Sequence, residues 1–148
     1  MASKRGIETE TGEVRAALAS SDLTVKEILD ILRSEKDAQA FDADAVAGPD
    51  HIRLAFFHAD KAFEERRNLV RDRMLEVLLR AAAARQVADA VKRIGIKDPK
   101  RIVIGFKGDA KRGDSLLKRL KARRMKWGPV DKKAENRMIE KMVLLQLE

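Results

Sequence analysis

An α+β domain, with two or three short strands among about five helices, is predicted by three observations. The first is a β-branched run, RIVIGF, flanked by turn residues. The second is a set of segments in which apolar residues recur every three or four positions. The third is a row of breakers, Gly48-Pro49, Gly95, Gly108 and Gly128-Pro129, that separates these pieces without a long linker. A chain of 148 residues that is 45% hydrophobic carries enough apolar material for one core, so a single domain over 1–148 with a mixed or antiparallel sheet is expected.

The elements follow in order. The segment up to Ser21 is polar and is expected to hold an edge strand or hairpin. Asp22 precedes LTVKEILDILRSE as a candidate N-cap, and Leu23, Ile28, Ile31 and Leu32 fall near one helix face. QAFDADAV alternates as a short strand, with Asp42 and Asp44 on its solvent side. After Gly48 and Pro49, DHIRLAFFHADKAFEE places Ile52, Ala55, Phe56, Ala59 and Phe63 at helical spacing. The stripe Met74, Val77, Leu78, Ala81, Ala84, Ala88 and Val91 predicts another helix, with Gly95 as its left-handed stop. RIVIGF reads as a buried strand, KGDAKRGD as a loop and SLLKRLKARR as a basic helix. Asp131 opens a last helix in which Met138, Ile139, Met142 and Leu145 share a face.

Charge narrows the function. Residues 1–60 hold 7 Lys/Arg and 12 Asp/Glu, and residues 61–148 hold 25 and 12, so the halves carry −5 and +13. Concentrated positive charge is relieved when a polyanion displaces its counterions, which points to nucleic acid; a solvated Lys/Arg-rich surface is the competing reading. One Trp, five Phe and no Tyr leave little material for stacking single-stranded bases. The absence of cysteine excludes disulfides, thiolate metal sites and a cysteine nucleophile. With no signal-like segment near Met1 and no apolar run of membrane-spanning length, a cytoplasmic protein is expected.

Candidate chemistry mostly fails on inspection. GDAKRGDS has the spacing of a phosphate-binding loop, but Asp114 stands where the lysine belongs, and its carboxylate would repel the terminal phosphates. His51 and His58 are seven apart, whereas chelation along a helix wants three or four and a third ligand. No catalytic set, metal or cofactor is therefore expected. Arg66, Arg73 and Arg80 recur at seven-residue spacing and would line one side of a continuous helix, with Arg71 close by. Arg85 falls at the edge of the apolar stripe beside Ala81 to Ala84, where it either snorkels to solvent or meets an anion.

The stretches FDADAVAGPDHIRLAFFHADKAF, RRNLVRDRMLEVLLRAAAARQVADAVKRIGI and RIVIGF, taken in that order, resemble the kinase-binding small subunit of the KEOPS (EKC) complex, known in animals as the PRPK-binding protein. The resemblance covers about residues 39–106 and continues more weakly in ENRMIEKMVLLQLE. It rests most on DHIRLA, Asn68, and Glu76, Leu79, Arg80, Arg85 and Gln86. It implies a noncatalytic subunit that binds the small atypical kinase or ATPase of KEOPS and supports threonylcarbamoyl-adenosine modification of tRNA. Archaeal members bind the single-stranded CCA end. The RNA face expected on this basis is Lys61, Arg66, Arg67, Asn68, Arg71, Arg80, Arg85 and Gln86. The kinase face expected is Met138, Ile139, Met142 and Leu145. A weak homodimer is a further expected association, and an adaptor without direct RNA binding is the alternative. The chain departs from the family pattern at Ala83 and Ala84, where Gly, Ser or Thr is expected.

Overall fold

A computed structural model describes residues 8–9 and 12–147. Any part of the expected N-terminal strand that falls on 1–7 or 10–11 lies outside the described residues. The strands are β1 (Glu8–Thr9), β2 (Gly12–Ser21), β3 (Ala38–Asp42), β4 (Ile102–Lys107) and β5 (Ala122–Arg124). The helices are α1 (Val25–Arg33), α2 (Pro49–Glu64), α3 (Arg73–Ala82), α4 (Val87–Ile94), α5 (Ala110–Arg119) and α6 (Lys132–Leu147), with a 3-10 turn at Ala43–Ala45. The α+β class holds, and every strand pair is antiparallel.

The sheet runs β1-β2-β4-β3, and β5 pairs with the far end of β2. Of the expected edge strand or hairpin the structure takes the second, with β1 pairing antiparallel to β2, and β2 is an inner strand: Val14 to Ala19 pair with Lys107 to Ile102 of β4, while Ala19 to Ser21 pair with Arg124 to Ala122. Its alternation explains how a segment with few large aliphatics can sit inside. Val14 and Leu18 enter one core layer, and Ala17 and Ala19 enter the other. β4 is buried at every position, as its continuous apolar run requires. Helices α2, α3, α4 and α6 cover one sheet face, and α1 and α5 cover the other. Gly105 permits the close approach of α2, because a Cβ there would lie 2.6 Å from Ile52 Cγ2 and 2.9 Å from Phe56 Cε1.

Several boundaries differ from expectation for identifiable reasons. Thr24 caps α1 rather than Asp22: its hydroxyl accepts from Glu27 N, and the Glu27 carboxylate accepts from Thr24 N. Asp22 instead pairs with Lys100. Asp42 and Asp44 do not share a strand face, because the Asp42 carboxylate accepts from Asp44 N and starts the 3-10 turn. Asp109 caps α5 by accepting from Arg112 N, so most of KGDAKRGD is helix rather than loop. The basic run then splits, with Lys121 at φ 48° ending the helix and Ala122–Arg124 forming β5.

The largest departure is that the stripe from Met74 to Val91 is two helices. Ala83 adopts φ 51°, ψ 44°, Ala83 N donates to Arg80 O, and Ala84 N donates to Leu79 O. This is a Schellman stop with alanine at the position that favours glycine. Gly95, by contrast, is extended at φ −65°, ψ 150°, and Ala88 and Val91 are exposed. Replacing Ala83 with glycine relieves the left-handed penalty, so Ala83→Gly is expected to raise stability by about 1 kcal/mol in urea denaturation.

Candidate functional site: a basic groove between α3, α4 and α6

The left-handed turn at Ala83 redirects the chain between α3 and α4, and α6, which packs on α2 and α3, lines the groove beside them. The result is a groove of about 510 Å³ whose floor is Ala45 and Ala81 to Ala83. Ile94, Met138, Leu144 and Leu145 form its apolar wall, and Arg85, Arg93 and Lys141 supply its positive charge. The floor is fixed from below. His51, fully buried, accepts from Ala47 N at 3.0 Å through Nδ1, and its Nε2 is 2.7 Å from Ala81 O, so the neutral ring donates there. From above, the Arg93 guanidinium donates to Ala82 O at 3.3 Å, satisfying a carbonyl at the α3 C-terminus.

The expected RNA residues fall into separate groups. Arg85 and Gln86 are exposed in the α3–α4 turn, with Arg85 on the groove. Lys61, Arg66, Arg67, Asn68 and Arg71 gather at the other end of α3, around the α2–α3 connection; a ten-residue helix separates the groups by roughly 15 Å. Lys61 pairs with Glu64, and Arg67 pairs with Glu65. Asn68 Nδ2 donates to Val70 O, which shapes the connection. Arg66, at φ 59°, and Arg71 are exposed.

The expected arginine row does not form. Arg66 lies outside any helix, and Arg73 starts α3 and stacks over Phe63 at 4.4 Å. Arg80 is 3% exposed, so it is not a surface donor. Its guanidinium pairs with Glu76 at 2.8 Å and donates to Gln146 Oε1 and Arg67 O. Sequence reasoning missed Arg93 and Lys141, because the groove joins α3 to residues about 10 and 60 positions away, and no local period encodes that meeting.

The expected kinase face also changes. Met142 and Leu145 are buried, at 0% and 7% exposure, and Met138 packs on the same core layer. The large apolar residues of α6 that are exposed are Val143, Leu144 and Leu147. Ile139, Val143 and Leu147 are spaced by four and line one flank, while Leu144 lies on the groove side. No helix among the described residues is long and apolar enough to cross a membrane.

Both histidines are buried. Burial lowers the His58 pKa to about 4, with Arg80 and then Arg67 adding repulsion, and burial also lowers that of His51. Depressed folded values mean that the unfolded chain binds more protons between the ordinary pKa near 6.5 and about 4. This stabilisation is complete above pH 6.5 and is lost as pH falls toward 4. Denaturation between pH 7.5 and 4 should show that slope, and His58→Gln should flatten it.

No curated protein matches the chain significantly. The family model described as kinase binding protein CGI-121 matches residues 8–142, which take in the whole sheet, the groove floor and α6 as far as Met142. The chain therefore belongs to the CGI-121 family of kinase-binding proteins.

Proposed function

We propose that this kinase-binding protein is a noncatalytic accessory subunit of the cytoplasmic KEOPS complex that also holds the 3′ CCA end of tRNA in the α3–α4–α6 groove, supporting threonylcarbamoyl-adenosine modification. The observation that carries this reading is the groove itself: a floor of alanines beside three cationic side chains. A floor without bulky side chains admits an unstacked base, and Arg85 and Lys141 at the rim offer donors to phosphates or base edges. Arg80 takes a positioning role beneath the α2–α3 connection, whose Arg66 and Arg71 meet the RNA further along the strand. The kinase docks on the Ile139, Val143 and Leu147 flank of α6, away from the groove.

Titration with intact and CCA-trimmed tRNA tests the RNA half. Arg85→Glu and Lys141→Glu should each weaken intact tRNA roughly tenfold and flatten the salt dependence. Trimmed tRNA should bind the unaltered protein as weakly as intact tRNA binds the variants. Equal affinity for intact and trimmed tRNA would remove the CCA assignment, and variants that bind normally would favour the adaptor without RNA.

A further inference from the structure

Outside the groove, the strongest charge feature lies where α5 hands over to β5. Six of the nine residues from Lys118 to Lys126 are Lys or Arg, and no acidic residue occurs between Ser115 and Val130. All six cations are exposed. We propose that this α5–β5 ridge is a second RNA site, one that grips the phosphate backbone of double-helical RNA. The proposal extends the RNA-binding reading, but it rests on different residues and a different face of the fold.

The ridge is rigid. Lys118 and Arg119 end α5, Lys121 occupies a left-handed turn at φ 48°, and Arg123 and Arg124 sit on β5, which is paired to β2. The arginines are already tethered: Arg119 to Glu35, Arg123 to Asp22 at 3.6 Å, and Arg124 to Asp114 at 3.1 Å. Lys118, Lys121 and Lys126 make no ion pair among the described residues. Lys100, which donates to Asp22, and then Arg123 hold that carboxyl below its ordinary range, in keeping with a positive local potential.

A solvated, ion-pair-laced surface looks different, and α1 of the same protein shows how. There Lys26, Asp30 and Arg33 alternate in sign and pair along the helix. On the ridge the three arginines are paired, but Lys118, Lys121 and Lys126 add three positive charges that no carboxylate within ion-pair distance offsets among the described residues, and a polyanion relieves their repulsion. The chemistry of the ridge selects phosphates over bases. Its aromatic neighbours are covered, Trp127 partly buried against the core and Phe106, beside Arg124, buried, so the ridge carries no stacking platform among the described residues. Double-helical RNA presents two phosphate strands at fixed spacing and is recognised mainly by shape and backbone. The ridge also lies away from the groove, since α5 packs on the opposite sheet face from α3, α4 and α6.

Full-length protein is titrated with a blunt RNA hairpin of roughly 16 base pairs and with a short single strand ending in CCA. The triple variant K118E/K121E/K126E is expected to bind the hairpin at least about tenfold more weakly, with a log–log salt slope reduced by about 2 to 3. K118A/K121A/K126A is expected to show a smaller loss in the same direction, and both are expected to keep the melting temperature and the single-strand affinity. Unchanged hairpin affinity in both variants overturns the proposal. So does unaltered protein that captures phosphatidylserine vesicles but not the hairpin. Failure of the single strand to bind the unaltered protein would defeat the groove reading and leave the ridge standing on the hairpin result.

Discussion

Met142→Asp is expected to unfold the protein, whereas Val143→Asp, one residue further along the same helix, leaves it folded and removes the kinase. Met142 is fully buried beneath α2 and α3. A carboxylate there has no partner, and burying it costs several kcal/mol, which approaches the whole stability of a domain this size. Val143 is 39% exposed on the flank shared with Ile139 and Leu147, so a charge there stays in water in the free protein and loses its hydration only against the kinase. Thermal melts and co-purification with the co-expressed kinase separate the two. A normal melting temperature for Met142→Asp would remove that residue from the core, and a Val143→Asp protein that still carries the kinase would remove the flank from the interface.

That contrast shows what the sequence could reveal about α6. Its apolar residues are evident, but MVLLQL is apolar nearly all round, and periodicity alone cannot say which side meets the core. β4 was readable because a strand buried on both faces leaves an unbroken β-branched run, and α2 because Pro49 and a regular apolar stripe mark it. The break between α3 and α4 was hidden by helix-favouring alanines: the stop at Ala83 comes from a left-handed backbone without its usual glycine. Arg85 stood out by its place beside the alanines. The burial of Arg80 did not, because it depends on Gln146, 66 residues away.

The same Arg80 network carries the second large expected effect. Glu76 is fully buried, and its Oε1 accepts from Leu69 N at 2.8 Å and Val70 N at 3.0 Å, while Oε2 accepts from Arg80 Nε at 2.8 Å. Arg80 reaches on to Gln146 of α6 and to the carbonyl of Arg67. One carboxylate thus joins α3, the α2–α3 connection and the end of α6. Glu76→Leu strands a buried guanidinium and two backbone donors together, and a loss of about 3 to 5 kcal/mol is expected in urea denaturation. Adding Arg80→Met removes the stranded charge but not the two orphaned N–H groups. The double variant should therefore recover part of that loss while remaining below the unaltered protein. A Glu76→Leu protein within about 1 kcal/mol of the unaltered one, or a double variant less stable than Glu76→Leu alone, would show that the pair does not hold these elements together.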